Sequence, residues 1–190
     1  TVQTGELVPT ENAIIKEAVP RHYWRWLTYD IYNGQGWGTS SVENTSYSAN
    51  ETLFPIPDRR YKLIHQQVEK AFKQDSRLYW TGSLIATSQP FNAKWRLKPQ
   101  LLSPSIDPLL FTDMLGATTE AQTYQADSLL PIISANQLRD SSQTYPQEIS
   151  KSYLSLPEAV PQRVLDLAGK LTAGITNPYD KAKAIEAYLR

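Results

Sequence analysis

A strictly alternating stretch at residues 91–98 constrains the fold more than any other feature of the sequence. Apolar residues alternate there with polar or basic ones: Phe91, Ala93, Trp95 and Leu97 against Asn92, Lys94, Arg96 and Lys98. Because successive side chains of a strand point to opposite faces, a period of two predicts a strand with one buried and one solvated face. Strands of this kind are typical of antiparallel sheets.

Other segments carry strand signals, with no helical periodicity between them. In residues 61–72 the apolar Ile64, Val68 and Phe72 lie four apart, so helix competes with strand there; we predict a strand, because no capping residue starts the segment. Residues 120–134 contain β-type residues, and Pro131 limits that segment to an edge or the end of a strand. Residues 78–86 predict one strand bent at Gly82. Residues 23–31, apolar on both faces, predict an interior strand that leads into an Asn33-Gly34 hairpin turn. We expect an antiparallel β-sandwich-like domain, with loops at residues 39–50 and an irregular crossing at residues 101–114.

The character of the sequence changes after residue 150. Pro161 suits a helix start, Gly174 can end that helix, and Asn177 can cap a second one. The first of these helices carries an apolar stripe: Val164, Leu167, Ala168 and Leu171. We therefore predict a mainly β (α+β) chain, with a β-rich domain at residues 1–150 and a helical hairpin at residues 151–190.

The second predicted helix has a strong start and no stop signal. Pro178 suits its first position and Asp180 places negative charge in its first turn. No Gly, Asn or Pro closes the helix before Arg190. We expect a further domain to begin there.

Composition excludes several functions. Lys plus Arg and Asp plus Glu both number 19, so the net charge is zero, which disfavours nucleic acid as a partner. Cysteine is absent, which excludes disulfides, thiolate metal sites and a cysteine nucleophile from these residues. No motif indicates a cofactor. No apolar stretch approaches the roughly 18 residues of a membrane span.

Two blocks of sequence resemble a known family. Tyr23-Trp24-Arg25, Tyr29-Asp30 and Tyr32-Asn33-Gly34-Gln35-Gly36-Trp37 are similar to elements of bacterial transglutaminase-like membrane proteins. Tyr153-Leu154-Ser155-Leu156-Pro157 and the segments 161–168, 172–174 and 178–190 resemble the helical lead-in to the catalytic core of that superfamily. The two blocks occur in the family's order, and the middle of the chain is only compatible with it.

The resemblance implies an extracytoplasmic region, tethered by membrane helices outside this chain, that precedes a papain-like core with a Cys-His-Asp triad. Since no Cys is present, none of the triad can be assigned here. This chain would be a non-catalytic accessory domain that positions the parent's own core or its protein or cell-wall substrate. The alternatives are a binding module for cell-wall glycan or peptide and a hydrolase with an unfamiliar site.

An aromatic cluster supplies the candidate ligand-binding residues: Trp37, Trp24, Trp26 and Tyr32. Aromatic rings stack on sugars or peptides when exposed and fill cores when buried. Core packing is the simpler interpretation for residues on a strand. Trp37 is the best ligand candidate because it lies between two glycines.

The remaining polar residues carry no recognisable site. His22 and His65 are the two histidines, and their spacing predicts no metal site. Arg25 and Asp30 are predicted to make structural charge contacts. The carboxylate pairs Glu148 with Glu158 and Asp58 with Asp75 match no glycosidase motif. A solvated sheet edge explains the basic row Lys94, Arg96 and Lys98, with membrane-surface contact as the alternative.

Overall fold

The computed structural model describes residues 2–5, 22–40, 42–55, 61–97, 113–145 and 147–190. In chain order the described strands are β1 (Val2–Gly5), β2 (Trp24–Arg25), β3 (Ile31–Tyr32), β4 (Trp37–Gly38), β5 (Glu43–Tyr47), β6 (Tyr61–Glu69), β7 (Trp80–Thr81), β8 (Ser83–Thr87), β9 (Phe91–Leu97), β10 (Asp113–Thr118) and β11 (Thr123–Pro131). The helices are α1 (Ala135–Arg139), α2 (Gln147–Tyr153), α3 (Gln162–Leu171) and α4 (Pro178–Leu189). The chain is mainly β with antiparallel sheets, as predicted.

The chain forms two compact units. The β unit comprises Thr1–Thr28 and Ser41–Ile132, and the helical unit comprises Tyr29–Ser40 and Ile133–Arg190. The helical unit thus contains the β3–β4 hairpin as well as the four helices. The division of the chain into domains at residue 150 stays a prediction.

The β unit contains two principal antiparallel sheets. One has the strand order β1-β6-β11-β8, and the other has the order β10-β9-β5. Side chains from both sheets meet in one core cluster, which includes Val68, Tyr124 and Leu129 from the first and Phe91 and Trp95 from the second. The predicted alternation of β9 is confirmed, since Phe91, Ala93 and Trp95 are buried.

Strands β6 and β11 form the centre of the larger sheet. Pro131 is the last residue of β11, as predicted, and pairs with Tyr61 at the start of β6. The buried side chain of Gln66 makes two hydrogen bonds in this sheet. Its Nε2 donates to Ser128 Oγ (2.8 Å), and its Oε1 accepts from the Thr81 backbone N–H (2.9 Å). Because Gln66, Ser128 and Thr81 are partnered in this way, their hydrogen bonds offset the cost of burying them and favour this register of the strands.

Lys70, which directly follows β6, is 5 % exposed. Its Nζ donates to three backbone carbonyls, those of Asp75, Arg77 (3.5 Å) and Thr119 (3.0 Å). Desolvation by the surrounding protein lowers the pKa of Lys70, and the charge of Asp75 opposes that shift. The buried ammonium group thereby ties the loop after β6 to the end of β10.

Residues 23–31 do not form the predicted interior strand. β2 pairs with β7, residues 26–28 hydrogen-bond along β10, and Ile31 belongs to the hairpin. Tyr23, Tyr29 and Ile31 are 82 %, 49 % and 47 % exposed, so this segment is not covered on both faces. The prediction was wrong because aromatic content gives no indication of where a segment changes its pairing partner.

The predicted loop at residues 39–50 was also wrong in part. Residues 43–47 form β5, an edge strand that pairs with β9 from Glu43↔Trp95 to Tyr47↔Phe91. Its residues are mostly polar because much of this strand is exposed, and a polar edge strand shows no apolar alternation. Most of the predicted crossing at residues 101–114 lies outside the described residues, and β10 begins at Asp113.

The predicted helical hairpin is present as α3 and α4. Asn177 caps α4, because its Oδ1 accepts from the backbone N–H groups of Tyr179 (2.9 Å) and Asp180 (3.3 Å). Pro178 occupies the first turn and Gly174, with φ +75°, lies in the turn between the helices. Arg139 of α1 joins this arrangement through an ion pair with Asp180 (2.9 Å).

Candidate functional site

The structure divides the four predicted ligand-binding aromatics between the two units. Trp24 and Trp26 lie in the β unit, and Tyr32 and Trp37 lie in the helical unit. Trp24 and Trp26 are half-buried; Trp24 packs against the core, and the Arg77 guanidinium lies 4.8 Å from the ring centroid of Trp26. These contacts support structural roles for the two tryptophans.

Tyr32 and Trp37 are brought together across the β3–β4 hairpin. They are directly paired residues, and their ring centroids are 5.1 Å apart with a 40° angle between the planes. Trp37 is 59 % exposed and Tyr32 is half-buried. Of the four candidates, this pair therefore has the geometry of an accessible aromatic platform.

The hairpin tip is held by its own polar groups. Asn33 Oδ1 accepts from the backbone N–H groups of Gln35 (2.9 Å) and Gly36 (2.8 Å). The Tyr32 hydroxyl donates to the Gly34 carbonyl (3.2 Å). The loop thus has four residues, 33–36, and Gly34 has the positive φ (+90°) that the Asn-Gly pair predicted.

The base of the hairpin is fixed by a buried carboxylate. Asp30, 1 % exposed, accepts from the Ser40 backbone N–H (2.8 Å) and the Ser40 hydroxyl (2.6 Å). The Asp30 backbone N–H also donates to the Gly38 carbonyl (3.0 Å). The Asp30 carboxylate thus closes the hairpin through its hydrogen bonds to Ser40, and the charge contact predicted for Asp30 stays a prediction.

Replacing Gly34 by valine should destabilise the helical unit by about 1–3 kcal/mol. A β-branched residue resists the positive φ, and a Cβ atom at Gly34 would lie 3.2 Å from Ala159 Cβ and 3.9 Å from Pro157 Cγ. Urea melts of the valine variant and of Gly36→Ala, whose added Cβ would meet nothing within 4 Å, measure the difference. Equal midpoints for the two variants would contradict this assignment.

The helical unit carries an extensive exposed apolar surface. No residue of α3 or α4 is buried, although the apolar stripe predicted for α3 is present. Large apolar side chains of this unit that are more than a third exposed include Leu154, Leu156, Val164, Leu165, Leu167, Tyr188 and Leu189. Contiguous apolar patches mark interaction surfaces, so these side chains are the candidate interaction residues of this unit.

Other predicted polar residues occupy structural positions. His65 Nδ1 contacts Asp127 Oδ1 (2.7 Å) across β6 and β11. Within the described part of the chain, no group of three or more His, Cys, Asp or Glu residues could hold a metal ion. Asp58 and the side chain of Glu148, which belong to the two carboxylate pairs that match no glycosidase motif, lie outside the described residues.

The interpretation of the basic row as a solvated sheet edge was wrong, because β9 lies between β10 and β5 and is paired on both sides. Arg96 Nε donates to Asp113 Oδ2 (3.0 Å) across β9 and β10. Lys94 pairs in register with Asn44 of β5, and Lys98 lies outside the described residues. Arg25, for which a structural contact was predicted, donates from Nη2 to the Gly82 carbonyl (2.8 Å). Across the ranges that the structure describes, no helix is long and apolar enough to cross a bilayer.

A curated protein is similar to this chain over most of the length of the chain. The uncharacterized protein YebA of Bacillus subtilis (strain 168) is 28 % identical over 179 residues, which cover 89 % of this chain and 23 % of YebA. The chain therefore spans less than a quarter of the length of this relative. No protein-family profile matches the chain, and no solved structure matches it.

Proposed function

We propose that this chain is a non-catalytic accessory part of a longer, membrane-anchored transglutaminase-like protein, located on the extracytoplasmic side. The exposed apolar surface of α3 and α4 is the observation that carries the proposal. In the transglutaminase-like family that the sequence resembles, the corresponding helices lead into the catalytic core. We propose that this core packs on the apolar surface of α3 and α4. The similarity to 23 % of a longer protein supports a role as one part of a larger assembly.

The absence of cysteine supports the non-catalytic part of the proposal. Thiolate attack needs a cysteine, and the sequence contains none. The chain would thus hold the core, or the core's protein or cell-wall substrate, in position. The reaction performed by the core, whether cross-linking, deamidation or proteolysis, is set by residues outside this chain.

The coding sequence that surrounds this stretch in its gene gives the first test. We expect a Cys, a His and an Asp in that order downstream, and a hydrophobic span. Purified chain alone should show no transglutaminase, amidase or protease turnover. Turnover that persists in the pure chain would overturn the non-catalytic assignment.

Binding between this chain and the separately expressed core gives the second test. Val164→Asp should weaken the complex about tenfold or more, because a charge would then face the apolar partner surface. Arg163→Glu, a charge change at the neighbouring exposed position of α3, is the matched control and should have a smaller effect. Isothermal titration calorimetry measures both. Equal affinities for Val164→Asp and the unchanged chain would place the contact elsewhere.

A cell-wall glycan- or peptide-binding module is the second candidate function. The observation that favours it is the exposed ring of Trp37 beside Tyr32. Peptidoglycan pull-down by the unchanged chain, lost in Trp37→Ala at unchanged stability, would support this module. If the unchanged chain retains no peptidoglycan, the module is excluded and the accessory role stands.

A further inference from the structure

The loop of the β3–β4 hairpin contains a chemically labile residue pair, Asn33-Gly34. Of the asparagines in the sequence, Asn33 alone precedes a glycine. The backbone nitrogen of the following residue can attack the Cγ atom of an asparagine, because this attack closes a five-membered ring. Glycine favours the closure, since it has no side chain to shield its nitrogen and its backbone is the least restricted. The side-chain amide is then lost as ammonia.

The attacking nitrogen, that of Gly34, is not engaged by the described part of the chain. The described hydrogen bonds within the loop are donated by the backbone N–H groups of Asn33, Gln35 and Gly36. Gly34 takes part through its carbonyl, which accepts from the Tyr32 hydroxyl. Asn33 itself is exposed, so solvent base reaches this part of the loop. Removal of the Gly34 amide proton, which makes the nitrogen nucleophilic, therefore breaks no described hydrogen bond.

Two hydrogen bonds of the loop converge on the atom that gains charge during the attack. Asn33 Oδ1 accepts from the backbone N–H groups of Gln35 (2.9 Å) and Gly36 (2.8 Å). When the Gly34 nitrogen bonds to Cγ, Oδ1 becomes an oxyanion. Backbone N–H groups already held at a developing oxyanion lower the barrier to acyl transfer. The folded loop thus supplies stabilisation that an unfolded chain does not hold in place.

We propose that Asn33 is a site of spontaneous modification, at which the folded hairpin promotes conversion of asparagine to aspartate and isoaspartate. The Gly34 nitrogen, after losing its proton to solvent, forms a bond to Asn33 Cγ. The Cγ–Nδ2 bond breaks, and the leaving nitrogen takes a proton from solvent and departs as ammonia, which leaves a cyclic imide. This proposal does not depend on the accessory role proposed for the helical surface.

One water molecule then opens the imide at either of its two carbonyl carbons. Addition at Cγ breaks the bond from Cγ to the Gly34 nitrogen and gives aspartate. Addition at the main-chain carbonyl carbon of residue 33 breaks the original peptide bond instead and gives isoaspartate. In isoaspartate the chain runs through the former side chain, so the main chain gains one methylene carbon.

The two products have different effects on the hairpin. Aspartate keeps the Oδ1 acceptor and adds negative charge, so the hydrogen bonds to the loop N–H groups persist. Isoaspartate lengthens the main chain of a four-residue loop that Tyr32 and Trp37 flank directly. The contact between these two rings, whose centroids are 5.1 Å apart, depends on that loop length. We therefore expect isoaspartate, and not aspartate, to disturb the aromatic pair.

Tandem mass spectrometry of the folded chain, digested after timed incubation at mildly alkaline pH, tests the proposal. Deamidation raises the residue mass, and fragmentation locates the change. Asn44, Asn50 and Asn92 are exposed internal controls, because each precedes a residue that has a side chain. We expect Asn33 to convert about tenfold or more faster than these three, since the following side chain raises their barrier. Conversion of Asn33 at the rate of the controls would contradict the proposal.

Incubation of the unfolded chain separates the contribution of the fold from that of the Asn-Gly pair. One sample is unfolded in guanidinium chloride, and the folded sample contains sodium chloride at equal ionic strength. Unfolding removes the two N–H groups from Oδ1, so Asn33 should convert about threefold or more faster in the folded chain. Equal or slower conversion in the folded chain would overturn the proposal, because the hairpin would then not promote the reaction.

Two variants of Asn33 complete the test. Asn33→Gln should abolish the mass increase at this position, because ring closure would need a larger ring. Asn33→Asp reproduces one product and should keep the indole ¹H–¹⁵N NMR signal of Trp37, which Trp37→Phe identifies by its loss. The isoaspartate form, separated chromatographically and identified with an isoaspartate-specific methyltransferase, should shift that signal. An isoaspartate form with an unchanged Trp37 signal would contradict the proposed effect on the aromatic pair.

Discussion

Replacing Trp80 by alanine should destabilise the β unit by about 3–5 kcal/mol, the largest effect that we expect from truncating any single side chain here. Trp80 is fully buried in the core cluster. Its Nε1 donates to the Gly82 carbonyl (3.1 Å), and the Arg25 guanidinium lies 5.2 Å from its ring centroid. Truncation removes the ring's buried contacts, leaves a cavity, and breaks both polar interactions.

Urea denaturation followed by circular dichroism measures this loss as a lower transition midpoint. Phe72→Ala is the matched control, because Phe72 is an aromatic of the same unit that is 76 % exposed. Its truncation should change the free energy of unfolding by no more than about 0.5 kcal/mol. Similar losses for Trp80→Ala and Phe72→Ala would contradict the core placement of Trp80.

The sequence predicts that tryptophans tend to be buried in the core, but it does not predict which of them are buried. The aromatic-rich segment at residues 23–31 drew the prediction of an interior strand, yet its Trp24 and Trp26 are only half-buried. The deepest tryptophans are Trp80 and Trp95. Burial of Trp80 depends on its position between sheets that come from distant segments, which local composition does not encode.

Elements with complete local signals were predictable. The alternation at residues 91–97 gave β9, and Asn177 with Pro178 gave the start of α4. The short helix α1 was missed although it has a local signal: Ser134 and Gln137 form a capping box, three residues apart. β5 was missed because a polar edge strand has no such signal.

The aromatic pair on the hairpin and the cavity in the β unit also differ in how local their sequence signals are. Tyr32 and Trp37 flank the turn that the Asn33-Gly34 signal predicts, although a two-residue Asn-Gly turn would have paired Tyr32 with Gln35 and not with Trp37. A cavity of about 200 Å³ in the β unit is different, since Arg25, Ser83, Trp95 and Asp113 line it from separate segments of the chain. Such a convergence depends on strand register and sheet packing, and a single sequence does not reveal it.

Replacing Gly82 by alanine should destabilise the β unit by about 3 kcal/mol or more, as the second large effect. Gly82 separates β7 from β8 and has φ +66°, a conformation that costs alanine about 1 kcal/mol or more by itself. A Cβ atom would lie 2.4 Å from the Leu129 carbonyl oxygen and 2.8 Å from Leu130 Cδ2. The steric overlap therefore adds to the backbone strain.

The central position of β11 prevents relief of this overlap. Leu129 pairs with Leu63 of β6 on one side and with Ser83 of β8 on the other, so its carbonyl cannot retreat without breaking both ladders. Gly169→Ala is the control with the opposite expected sign. Gly169 lies in α3 with nothing within 4 Å of an added Cβ, so alanine should stabilise the helix by about 0.5–1 kcal/mol.

Thermal and urea melts of Gly82→Ala and Gly169→Ala, recorded side by side, separate the two effects. If the Gly82→Ala variant has the same melting midpoint as the unchanged chain, the backbone at Gly82 does not lie as close to β11 as the 2.4 Å distance from an added Cβ to the Leu129 carbonyl oxygen requires. The bend at Gly82 would then not be what joins the short β7 to the larger sheet. If only Gly82→Ala loses stability, the bend at Gly82 depends on the close packing of its backbone on β11. The sequence predicted this bend as an interruption within one strand.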